Sequence, residues 1–266
     1  MTSAASDPVQ WDPDTYARFE AERDRAALDL LVRLPDDLDP GVIWDLGCGD
    51  GHHASLLKRR YPRAEVHGLD RSADMLAGAG ARDDTVHWHQ GDIAAWAPEL
   101  PVDLIFANAA LQWVGDHGAL FPALAGQLAP RGVLAVQMPM AFETRHHTLM
   151  RQVATEGPWA GALQDVPTIA PLLSAGAYYD RLAGRGDDID IWSTTYLHAL
   201  TGEDAVLNWM SGTALRPYLT ALAGTPELQA GYLEALGEAL SRAFPRRPDG
   251  VTLLPFPRLF LLARAR

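Results

Sequence analysis

With 266 residues, 48% of them hydrophobic and 21% charged, the chain has an ordinary globular composition and room for one large α/β core. A formal net charge of −12 disfavours nucleic acid and anionic membrane surfaces as partners, but not a small anion held by a few arginines. The one cysteine, Cys48, excludes an internal disulfide, and M-T-S-A-A-S-D-P-V-Q lacks the basic start and apolar stretch of a secretory signal, so a cytoplasmic location is expected.

Residues 1–10 read as a loose tail. A helical pattern follows over residues 11–35, with Asp12 or Asp14 as cap, apolar positions at Phe19, Leu28, Leu31 and Leu34, and Pro35 as stop. Strands and helices then alternate. V-I-W-D-L is a short apolar run of the fully buried kind, followed by the helix H-H-A-S-L-L-K-R-R-Y. E-V-H-G-L-D is a second strand, and Ser72 caps the helix after it. V-H-W-H-Q-G-D, V-D-L-I-F-A-N and V-L-A-V-Q-M supply three more strands; the helix H-G-A-L-F-P-A-L-A-G-Q-L and the turn P-R-G separate the last two. This rhythm predicts a parallel sheet covered on both faces. Beyond Pro139 it breaks, with helices predicted over Thr144–Thr155, Ala170–Leu182 and Gly202–Phe244. A sixth strand is expected in D-I-D-I-W-S-T-T-Y-L-H-A-L and a last one in V-T-L-L-P-F-P-R-L-F-L-L-A-R-A.

The first strand runs into D-L-G-C-G-D-G-H-H, with glycines at 47, 49 and 51. A dinucleotide fingerprint wants a third glycine where His52 stands, and no P-loop lysine follows, so neither a nicotinamide nor a phosphate cradle is expected. What remains is a bare backbone able to approach a ligand without pyrophosphate. Asp70, ending the second strand, suits a ribose diol; Asp92 and the apolar Ile93, after the third, suit an adenine amino group and ring face.

These features together resemble the class I S-adenosylmethionine-dependent methyltransferases. The loop holding Asp45, Gly47 and Gly49 looks like their first motif, Asp70 like the ribose-binding acid and Gly91-Asp92-Ile93 like the adenine segment. A closer similarity covers nearly the whole chain. W-D-P-D-T-Y, N-A-A-L-Q-W-V, A-V-Q-M-P, A-Y-Y-D, I-W-S-T-T-Y-L-H, L-R-P-Y-L and F-P-R-L-F look like trans-aconitate methyltransferases. The resemblance implies a Rossmann-like α/β fold with a mostly parallel seven-stranded sheet, helices on both faces and a helical cap. One methyltransferase domain would span residues 11–266. Within it lie an N-terminal cap helix (11–35), a cofactor-binding core (40–140), substrate-cap helices with the sixth strand (141–250) and a last strand (251–266). The implied cofactor is S-adenosyl-L-methionine, and the implied partner a small anionic carboxylic acid esterified at one carboxylate, with the chain a monomer or homodimer.

That chemistry needs no residue acting as acid or base, because a carboxylate is already ionised at neutral pH. It does need cations for the remaining charges of the substrate. Arg258, inside an otherwise apolar strand, and Arg216, in A-L-R-P-Y-L, are the candidates; Tyr178, Tyr179 and Tyr196 could add neutral donors. By resemblance, Arg23 would hold the amino-acid carboxylate of the cofactor and Asn108 its methionine portion. Trp113 would wall the transfer site, and Trp11 and Tyr16 would close the cleft. A hydroxyl substrate would instead require a base such as His117, His146 or His198, and a nucleoside-binding regulator would need no catalysis at all. No metal is expected: the adjacent pairs His52-His53 and His146-His147 project in different directions, and His87-x-His89 lacks a partner at ligand spacing.

Overall fold

The computed structural model describes residues 20–266, with side chains from Asp24 onward except that of residue 187. Trp11, Tyr16 and the expected tail lie outside the described residues, as does the side chain of Arg23. The elements in chain order are α1 (Glu20–Val32), β1 (Val42–Leu46), α2 (His52–Arg60), β2 (Glu65–Asp70), α3 (Ala73–Arg82), β3 (His87–Gln90), β4 (Val102–Asn108), α4 (His117–Gly126) and β5 (Leu128–Pro139). After them come α5 (Arg145–Glu156), α6 (Ala160–Leu163), α7 (Ala175–Leu182), β6 (Gly186–Thr201), α8 (Ala205–Ser211), α9 (Arg216–Ala221), α10 (Pro226–Ala243) and β7 (Val251–Ala265). The seven strands form one sheet in the order β3-β2-β1-β4-β5-β7-β6. Pairing is parallel from β3 through β5 and antiparallel between β5 and β7. The mostly parallel, seven-stranded α/β sheet expected from the sequence is therefore the fold.

The chain packs as two compact units. The first, a sheet unit, comprises Asp24–Met140, Ala170–Thr195 and Pro257–Arg266. Its core joins Leu46, Ile105, Leu134, Val136 and Leu261 of the central strands to Phe121, Leu124 and Tyr178 of α4 and α7. Continuous apolar runs such as V-L-A-V leave no polar face, which is why these strands are covered on both sides. The second unit, Ala141–Ile169 with Tyr196–Phe256, is mostly helical. Trp159, Trp209, Met210, Tyr232 and Leu236 centre its core, and the Tyr232 hydroxyl donates to the Met150 carbonyl at 3.2 Å.

Three local differences from the sequence pattern have physical causes. The expected helix from Ala170 begins only at Ala175, after Pro171, with Ser174 accepting from the Ala177 amide. The expected helix over Gly202–Phe244 is three helices, broken around Gly212 and at Gly224-Thr225 before Pro226. The turn P-R-G lies inside β5 instead. Arg131 adopts φ 64°, and pairing with β4 shifts register between Val102 and Leu104. Asp37 holds both Arg131 and Arg264 there, at 2.7 and 2.8 Å.

Candidate cofactor site

In open α/β sheets ligands bind beyond the carboxyl ends of the strands, where the strand order reverses. Here that point lies between β1 and β4, since β1 leads out to β2 on one side and pairs with β4 on the other. The glycine loop leaves β1 at this edge, pinned by Gly47 and Cys48 amides donating to the Leu69 carbonyl at 2.7 and 3.0 Å. Its three glycines do different work. All have positive φ, but a Cβ at Gly47 would lie 2.3 Å from the Ala110 Cβ, and one at Gly51 2.4 Å from the Trp88 ring. A Cβ at Gly49 would meet nothing within 4 Å among the described residues. Gly47 and Gly51 are thus required by protein packing, and Gly49 faces open space where a ligand can press against backbone.

This difference makes a test. Gly51→Ala should fail to fold or lose several kcal/mol, since the Trp88 indole is itself held by the Asp83 carbonyl. Gly49→Ala should fold at a cost of about 1–2 kcal/mol for its left-handed φ, yet bind S-adenosylmethionine at least about tenfold more weakly. Thermal unfolding and cofactor titration read the two effects separately.

Asp70 sits directly behind the loop. Its Oδ2 accepts from the Gly49 amide and its Oδ1 from the Ser72 amide, both at 2.9 Å. Each oxygen keeps a lone pair for a ribose hydroxyl, while the amides fix the carboxylate plane. Gly91 donates to the Asp70 carbonyl at 3.0 Å, so the segment after β3 is tied to the same corner. There Asp92 is exposed and accepts from the Ala94 amide at 2.9 Å, and half-buried Ile93 opens a 3₁₀ turn.

Across the switch point, buried polar atoms collect on one face of the sheet. Asp45 pairs in register with Phe106, and Asn108 with Gln137, so these side chains share a face. Asp45 Oδ2, Asn108 Oδ1 and both amide atoms of Gln137 are buried without a hydrogen-bond partner among the described residues. Burial pushes the Asp45 carboxyl up to about 7. Such orphans are costly unless a ligand completes them. Three acceptors and one amide donor suit a zwitterionic amino-acid group, so the residues present fit the methionine end of S-adenosylmethionine. The sequence pattern does not single out Gln137; its one signal is a lone polar residue in the apolar run V-L-A-V-Q-M.

The remaining predicted residues divide between the units. Arg258 is buried in the sheet unit, paired across to Pro139 at the β5 end nearest Gln137. Trp113, 48% exposed, stands in the 3₁₀ turn following β4, and Tyr179, 51% exposed, lies on α7. Arg216 and Tyr196 belong to the helical unit, half-buried and buried respectively. Tyr178 is a correction: it is fully buried, and its hydroxyl shares a 2.6 Å hydrogen bond with His117 Nδ1, so it packs the core and does not meet a substrate. The same contact removes His117 from the list of bases, because its Nε2 lies 2.8 Å from the Leu111 carbonyl and both nitrogens are committed. His146 and His198 are buried against Phe256, with His198 stacked on Trp209, and are equally unsuited. Cys48 is buried, its thiol pushed up chiefly by burial.

The pair His52-His53 gains a partner from outside its own segment. His52 and His53 open α2 with rings 77° apart, yet their Nε2 atoms both reach Asp24 of α1, at 3.4 and 3.2 Å. The partner comes from a distant helix, which spacing along the chain cannot reveal.

A Gly-rich loop after β1, an acid ending β2, and this strand order define a class I methyltransferase architecture. A methyltransferase-domain family model matches residues 43–132, the span from β1 into β5. The chain is 48% identical over 257 residues to a trans-aconitate 2-methyltransferase of Yersinia pestis, covering 96% of this chain and 98% of that protein. A protein of the same name from an Azoarcus species is 47% identical, covering 95% and 98%. Among solved structures, phosphoethanolamine N-methyltransferase 2 of Haemonchus contortus shares the fold, with a TM-score of 0.54 and 18% identity over 90% of this chain and 52% of that one. The chain belongs to the trans-aconitate 2-methyltransferase family.

Proposed function

We propose that the chain transfers the methyl group of S-adenosylmethionine to one carboxylate of trans-aconitate, giving a monomethyl ester. The observation that carries the substrate is the 48% identity, over nearly the full length of both chains, to a relative of that name. The cofactor is supported independently by the open space at Gly49, the poised Asp70 and the orphaned polar atoms beside Asn108.

When bound, S-adenosylmethionine supplies a methyl already activated on a sulfonium, and its C–S bond breaks as the C–O bond forms. The work left to the chain is positional. Asp70 accepts from the ribose hydroxyls, Asp92 and Ile93 hold the adenine, and Asp45, Asn108 and Gln137 hold the amino-acid end. Arg23 is assigned to the carboxylate of that end. Arg258 and Arg216 are the cations assigned to the carboxylates that do not react, and Tyr179, Tyr196, Trp113, Trp11 and Tyr16 are the other residues assigned to the substrate. Correct orientation of this kind is worth about 7–11 kcal/mol of barrier. The carboxylate attacks without losing a proton, so kcat/KM is expected to stay nearly flat above pH 6.

Incubation with methyl-labelled cofactor and a panel of di- and tricarboxylic acids tests the reading. Label should enter trans-aconitate as a base-labile ester; label in no acid, despite tight cofactor binding, would reject it. Arg258→Leu should raise the KM for the acid at least about tenfold with the cofactor dissociation constant little changed. An equal loss of both would make Arg258 a residue of the fold.

A further inference from the structure

We propose that Asp24, His52 and His53 form a binding site for a divalent transition ion of the zinc, cobalt or nickel class. One ligand atom from each lies within 4.8 Å of the others. In a tetrahedral sphere with metal–nitrogen bonds of about 2.0–2.1 Å, neighbouring ligand atoms stand about 3.4 Å apart. The carboxylate oxygens of Asp24 already lie 3.4 and 3.2 Å from the two Nε2 atoms. Each imidazole faces a different oxygen of that carboxylate, so the three side chains converge on one point, and small side-chain rotations bring ligand atoms already within 4.8 Å onto one ion.

Donor chemistry fixes the class. Two imidazoles and one carboxylate suit borderline ions, whereas magnesium and calcium demand oxygen ligands. The three side chains are 16–28% exposed, sheltered enough to hold an ion and open enough for a water to take the fourth position. His53 Nε2 is buried and makes no hydrogen bond of good geometry, although the Asp24 carboxylate is beside it. Arg82, a guanidinium beside the site, is committed to the side chain and carbonyl of Asp50. Its contact with His52 Nδ1, at 3.5 Å, is too long to dictate which nitrogen carries the proton. A bound ion would clamp α1 to the helix that begins one residue beyond Gly51. It would therefore stabilise the sheet unit at the edge of the glycine loop.

The rival assembly is the group of Glu65, His67, His87 and His89 on β2 and β3, exposed except for His67, in which His67 Nδ1 lies 3.0 Å from His89 Nε2. The full chain, stripped with chelator, is titrated with Co²⁺ and read by visible absorption, then with Zn²⁺ and read by thermal unfolding. The expected result is one Co²⁺ per chain with intense bands of tetrahedral type and a rise in Tm with Zn²⁺. In Asp24→Asn and His53→Gln the ion should bind at least tenfold more weakly, while His87→Gln leaves it unchanged. S-adenosylmethionine titration confirms that each variant is folded. Absence of stoichiometric binding, or loss of binding in His87→Gln with Asp24→Asn unaffected, would overturn the assignment.

Discussion

Asp70→Ala is expected to raise the dissociation constant for S-adenosylmethionine by about 10²-fold or more, while affinity for the acid changes little. A carboxylate bound to two ribose hydroxyls makes two charge-assisted hydrogen bonds, each worth about 1.5–3 kcal/mol. The loss has a second source. The Gly49 and Ser72 amides now donate to Asp70, and removing it leaves the loop and the start of α3 without their anchor. Asp70→Asn separates the two sources, since its carboxamide oxygen can still receive one amide although its NH₂ group cannot receive the other. Calorimetric titration should therefore place Asn between Asp and Ala. Equal cofactor affinity in wild type and Asp70→Ala would remove Asp70 from the site altogether.

Much of this site could be read from the sequence because its parts are set locally. β1, β2 and β4 agree residue for residue with apolar runs bounded by turn residues, and Ser72 caps α3 as its position predicts. An acid or glycine at the end of such a run must fall at the carboxyl edge of the sheet. Contacts between distant segments were hidden for the opposite reason. Asp24 lies 28 residues before His52, and nothing in either segment announces the other. Arg131 resembles a turn residue until Asp37 and Arg264 draw it into a strand. Tyr178 looks available in A-Y-Y-D, yet its neighbour Tyr179 is the exposed one; only the packing of α7 on α4 decides which ring turns inward. Gln137 is the most instructive omission. A buried amide without partners is visible as an incomplete site only once its surroundings are known.

The helical unit should be acid-labile, losing stability as pH falls below about 6.5. His146 and His147 are 1% and 7% exposed, and burial depresses them to about 3 and about 4. Their position in the first turn of α5, where the helix dipole repels cations, acts in the same direction. In the unfolded chain each takes a proton near 6.5, so between that pH and the folded values the unfolded state binds more protons. Stability from these groups is complete above 6.5 and falls away as the medium acidifies towards 4. At pH 5 the cost is about 2 kcal/mol for each, from 1.36 kcal/mol per unit over about 1.5 units. Two such groups reach about 4 kcal/mol, a large share of the stability of an ordinary domain. His146→Phe keeps an aromatic ring against Phe244 and Phe256 and removes one of the two protonations. Hydrogen exchange at pH 5 should show earlier opening of α5, α8 and α10 in the wild type than at pH 7.5, and that difference should be roughly halved in His146→Phe. Identical exchange at the two pH values, after correction for the intrinsic rate, would mean that the imidazoles take up protons without opening the unit.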